Sequence, residues 1–93
     1  MFLIFAEFEA VQEIALAAVD AVRSSKSLGK LSRETLFGTL TSEIHVVCDM
    51  EEKDALACAE TLVRLVSQAG SVNPRVRLQS DDGPALRTVW QNR

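Results

Sequence analysis

The stretch EIHVVCDMEEKDALACAETLVRLVSQAG, residues 43–70, decides the fold, because it reads as a buried strand running directly into a two-sided helix. Ile44, Val46 and Cys48 alternate with His45, Val47 and Asp49, the period of two that gives a strand two different faces. Asp49 followed three residues later by Glu52 has the spacing of a capping box, in which side-chain oxygens satisfy the orphaned N–H groups of a first helical turn. From Ala55 the apolar positions Ala55, Cys58, Ala59, Leu62, Leu65, Val66 and Ala69 recur every three or four residues and therefore share one helix face. Lys53, Glu60, Arg64, Ser67 and Gln68 fill the other face, with Glu60 and Arg64 at the favourable i, i+4 distance. Gly70 is placed to close the helix in a left-handed conformation, and Pro74 forbids its continuation.

Upstream, the apolar run Phe2–Phe5 and the alternation of Phe2, Ile4, Ala6 and Phe8 with Leu3, Phe5, Glu7 and Glu9 predict a central strand. The alternative reading makes Phe2 to Arg23 one long helix beside a three-stranded sheet and the second helix. Val11, Ile14, Ala15, Ala18, Val19 and Val22 carry the helical period from Val11 to about Ser25, and their alanines allow close approach to a sheet. Ser24 to Arg33 has the composition of an exposed connection, and Glu34 to Thr41 that of a strand weakened by Gly38, with Leu36 and Leu40 on its inner side. Thr41 and Ser42 are expected to reverse the chain into the Ile44 strand. Ser71 to Pro74 reads as a turn, Arg75 to Ser80 as a half-exposed strand, and Asp81 to Pro84 as its end. The tail with Leu86, Val89 and Trp90 is equally compatible with a helical turn or an added edge strand.

The order strand, helix, strand, strand, helix, strand predicts a single α+β domain over residues 1–93. Its expected form is ferredoxin-like, βαββαβ, a four-stranded antiparallel sheet with two helices on one face. Ninety-three residues suffice for one core without metal or disulfide staples. A net charge of −3 offers no broad attraction to nucleic acid or anionic lipid. Cys48 and Cys58 stand where small apolar residues belong, so they are expected as reduced, buried thiols in a reducing compartment. Met1 to Ala6 is apolar, yet no positive segment precedes it and Glu7 and Glu9 interrupt it, so it does not read as a signal peptide and the expected location is cytoplasmic.

Strand parity divides the rest. Ile44, Val46, Cys48, Leu36, Leu40, Val76 and Leu78 are expected to face the helices. Leu3, Phe5, Glu7, Phe37, Thr39, His45, Val47, Arg75, Arg77 and Gln79 are expected on the open face, with Glu7 and Glu9 beside Arg75 and Arg77. Phe5, Phe37, His45, Val47, Arg75 and Arg77 would form an interface patch, most simply for a second copy of the chain. The function this predicts is a small interaction or regulatory module, homodimeric through its sheet and without catalysis of its own.

The chemical alternatives are thinner. His45 is the only histidine, and with Arg75 and Arg77 it could serve a small-molecule binder or enzyme. Histidines on a strand are more often contact residues, and no second one exists to complete a zinc set, so neither metal nor cofactor is expected. A nucleophilic role for Cys48 is weaker than its reading as core. The acidic group Asp49, Glu51, Glu52 and Asp54 is explained by a helix N-terminus, and Asp81 and Asp82 by a turn. Arg23, Lys26, Lys30 and Arg33 form a basic loop that could touch phosphates, but the Ile44 strand lacks the aromatics on which RNA bases stack.

Overall fold

The computed structural model describes residues 1–25, 30–37, 41–81, 83, 85–92; for residues 30–37 and 41 it describes the backbone alone. Its elements are β1 (Phe2–Glu9), α1 (Gln12–Ser24), β2 (Lys30–Phe37), β3 (Thr41–Cys48), α2 (Glu52–Gln68), β4 (Val72–Ser80) and β5 (Arg87–Gln91). The strands form one antiparallel sheet in the order β2-β3-β1-β4-β5. The fold is ferredoxin-like, and the tail adds a fifth strand at the β4 edge. The reading of residues 2–23 as one long helix is overturned: Phe2–Glu9 is the middle strand, hydrogen-bonded on both sides.

Register explains the core. Directly paired residues share a face of the sheet. Ala6 is opposite Ile44 and Val76, Ile4 opposite Val46 and Leu78, and Phe2 opposite Cys48 and Ser80. All of these are buried, together with Phe8, Ala15, Ala18, Val19 and Val22 of α1 and Ala55, Cys58, Ala59, Leu62 and Val66 of α2. The alanines bring both helix backbones close to the sheet, and Phe8, Leu62 and Ile44 fill the space between.

Four boundaries differ from the sequence reading. The helix α2 starts at Glu52 with Glu51 at the cap, and no side chain caps it, so the box between Asp49 and Glu52 does not form. Met50, half-buried against Cys58, occupies the turn instead. The exposed connection expected to run to Arg33 gives way to β2 at Lys30, because an eight-residue β3 needs a partner of the same length. Thr41 and Ser42 are strand residues of β3 and not the reversal expected there, and Gly38, Thr39 and Leu40 lie outside the described residues. β4 begins at Val72, where Asn73 at φ 51 and a register shift opposite Glu7 to Glu9 make a bulge that takes in Pro74.

The end of α2 matches its reading. Gly70 adopts φ +105, its N–H bonds to the Ser67 carbonyl at 3.1 Å, and the Ser71 N–H reaches the Val66 carbonyl at 3.3 Å, the two bonds of a Schellman motif. A Cβ on Gly70 would stand 3.4 Å from Ile14 Cδ1 of α1, so the position is tight as well as left-handed. Gly70→Ala is expected to destabilise the protein by roughly 1–2 kcal/mol, measured as a lower urea midpoint with unchanged slope.

Candidate functional site

The side of the sheet away from the helices carries three cross-strand rows centred on β1. In the first, Phe5 of β1 lies between its register partners His45 of β3 and Arg77 of β4, with Gln91 of β5 beyond. The His45 ring meets the Phe5 ring edge-on, with centroids 4.5 Å apart at 70°, and the Arg77 guanidinium lies 5.6 Å over the Phe5 centroid. Phe5 is thus half-covered by a cation on one side and an imidazole on the other.

In the second row Glu7 lies between Glu43 and Arg75. Two carboxylates directly opposite each other repel. Glu7 turns to the neighbouring strand, its Oε2 3.7 Å from Arg75 Nη2 of β4, and Glu43 turns along its own strand to accept a hydrogen bond from His45 Nε2. A third row, Leu3 between Val47 and Gln79, is apolar at its centre and half-buried.

Where β4 meets β5 the face is hollowed into a groove of about 340 Å³ lined by Phe5, Glu7, Glu43, Arg75, Arg77, Gln91 and Asn92. Asn92 shapes it. Its side chain donates to the Pro74 carbonyl at 2.8 Å and accepts from the Val76 N–H at 3.0 Å, while its own N–H bonds to the Val76 carbonyl at 3.1 Å. Those bonds carry the β5 pairing past the bulge, where Pro74 has no N–H to give.

Of the residues expected on this face, Phe5, His45, Val47, Arg75 and Arg77 are brought together, Arg75 and Arg77 exposed and the others half-buried. The backbone of Phe37 pairs with Thr41, and its side chain lies outside the described residues. Arg77 meets Phe5 instead of a glutamate, and Glu9 accepts from Asn73 Nδ2 at 2.8 Å instead of meeting an arginine, because the bulge shifts its register. His45 flanks Phe5 outside the groove, so the ligand set of His45, Arg75 and Arg77 is divided: the arginines line the hollow and the imidazole does not.

The basic loop is not a loop throughout. Arg23 is exposed in the last turn of α1, Lys30 and Arg33 belong to β2 with their backbones opposite Val47 and His45, and Lys26 and the side chains of Lys30 and Arg33 lie outside the described residues. Asp82 lies outside them too. No local pattern points to the groove, although the Asn73-Pro74 pair is a signal for the bulge and the alternation around Trp90 a signal for the added strand.

Cys48 and Cys58 form no disulfide and are buried on the helix side. Burial, then the neighbouring Cys58, pushes the Cys48 thiol up from its ordinary 9.0 to about 11. Burial and then the Asp54 carboxylate raise Cys58 as well. Neither is a poised nucleophile, which needs a lowered value. Among the described residues no three of His, Cys, Asp and Glu gather closely enough to hold a metal, and no helix is long and apolar enough to cross a membrane.

Comparison of the chain with models of protein families, with curated proteins and with solved structures found no match.

The thiols set a pH dependence. The native chain keeps the Cys48 proton to about pH 11, whereas an unfolded chain releases it near the ordinary 9.0. Between those values the unfolded state binds fewer protons, so stability is full below pH 9 and falls as pH rises toward 11. Urea midpoints measured from pH 7 to 11 are expected to decline above 9, and Cys48→Ala is expected to flatten that decline.

Proposed function

We propose that this chain is a small interaction module that pairs with a second copy through the open side of its sheet. The observation that carries the reading is the composition of the two central rows: Phe5 flanked by His45 and Arg77, and Glu7 flanked by Glu43 and Arg75. A two-fold contact sets one patch against itself, so it needs acids and bases on the same patch around an apolar centre. This face has both. With strands about 4.8 Å apart and a rise of about 3.3 Å per residue, five strands of some eight residues project roughly 600 Å², and side-chain relief raises that toward the ~800 Å² per partner of a specific dimer. Two neighbouring buried thiols without a disulfide favour a reducing, cytoplasmic compartment.

Sedimentation equilibrium is expected to show a dimer at micromolar concentration. Arg77→Glu and Phe5→Glu should each give a monomer with an unchanged circular dichroism spectrum. A monomer at a few hundred micromolar in the unaltered protein sinks this reading.

The groove supports a second reading, a small zwitterion whose carboxylate meets Arg75 or Arg77 and whose ammonium meets Glu7 or Glu43. Thermal-shift screening of amino acids and simple carboxylates should then give stabilising ligands whose effect is lost in Arg75→Ala. No shift across the set removes this reading without touching the first.

A further inference from the structure

Three sulfur atoms converge on the helix side of the sheet, away from the open face. Cys48 ends β3, Met50 stands in the following turn, and Cys58 lies in the second turn of α2. Cys58 Sγ is 3.6 Å from Met50 Sδ, to which it donates. A thioether can only accept, so the Cys58 proton points to Met50 and the Cys58 sulfur is left to accept from Cys48, with which it shares a hydrogen bond. A hollow of about 320 Å³ lined by Met50, Asp54, Ala57, Cys58 and Thr61 reaches two of the three sulfurs, and Cys48, hydrogen-bonded to Cys58, is buried outside its lining.

We propose that these three sulfurs form a site for one soft monovalent metal ion, with Cu(I) as its natural occupant, held by the thiolates of Cys48 and Cys58 and the thioether of Met50. Soft thiolate and thioether ligands select Cu(I) over harder divalent ions. Metal–sulfur bonds of about 2.3 Å place the sulfurs of a three-coordinate site roughly 4 Å apart, close to the 3.6 Å already present between Cys58 and Met50. In a core methionine is usually a gap filler. Here its sulfur is turned to a thiol on the wall of an open hollow.

The hollow supplies an entry path, and Asp54 on its rim attracts a cation. Binding exchanges one metal ion for two protons: each thiol gives its proton to solvent as its sulfur bonds the metal, and no electron moves. Zinc fits poorly, since it takes four nitrogen, oxygen or thiolate donors and a thioether is not among them.

The test uses the full chain, reduced and free of oxygen, titrated against a coloured Cu(I) chelator, with Ag(I) as a redox-inert second probe. One equivalent of Cu(I) should be withdrawn, with a sulfur-to-metal band in the near ultraviolet and a raised melting temperature. Met50→Leu keeps the side chain's volume. It should weaken binding by more than the roughly tenfold that even an outer-shell partner is worth. Cys58→Ser should abolish the band, and Zn(II) should not be retained. The proposal is overturned if no Cu(I) leaves the chelator, if Met50→Leu binds as tightly as the unaltered chain, or if Zn(II) is held equally well. Because Met50→Leu is expected to fold, these results decide the matter even where Cys58→Ser does not.

Discussion

Everything in this molecule depends on β1 lying in the middle of the sheet with its side chains strictly sorted. Phe2, Ile4, Ala6 and Phe8 go inward, and Leu3, Phe5 and Glu7 go outward. Because β3 and β4 pair with it residue against residue, the division made on one strand is imposed on its two neighbours. A slip of β1 by one residue would turn Phe2, Ile4, Ala6 and Phe8 to the open face and bury Leu3, Phe5 and Glu7. The apolar core and the charged face are therefore two consequences of a single register, and neither can be altered without the other.

That constraint also accounts for an unfavourable feature. Register sets Glu7 against Glu43, a like-charged pair that a freely chosen sequence would avoid. Both are at the surface, where repulsion is weakened by solvent. Arg75 across the sheet partners Glu7, and His45 along β3 partners Glu43. An exposed pair of this kind contributes only about 0.2–1 kcal/mol. The second row is thus a minor source of stability, which resides in the alanine-lined helix packing behind it.

What could be read in the sequence was what repeats. The alternation around Ile44, the three-and-four spacing from Ala55 to Ala69 and the Gly70 terminus are local signals with one physical solution each, and the order of elements followed from them. Local signals failed where a distant partner decided the outcome. Asp49 and Glu52 have the spacing of a cap, but packing of Met50 against Cys58 extends the turn and moves the cap to Glu51. Lys30 to Arg33 look like connection and become strand because β3 offers them a ladder. The groove was invisible for the same reason, since it depends on Asn92 bonding β4 across a bulge sixteen or more residues away. The face was legible by parity, and its contour was not.

The inner sulfurs and the outer face differ in how they are tied to folding. Residues of the open face contact one another across strands that the core already holds, so changes there leave the fold in place. Cys48 and Cys58 instead join the last residue of β3 to the second turn of α2, across the layer that separates sheet from helix. Any group that bridges them binds only the folded chain and must stabilise it by mass action. Loss of their protons at high pH acts in the opposite sense through the same two side chains, because charge is being forced into an apolar layer. The cluster therefore lies on a line between helix and sheet along which stability and occupancy are one equilibrium, whereas the open face is free to evolve its contacts independently.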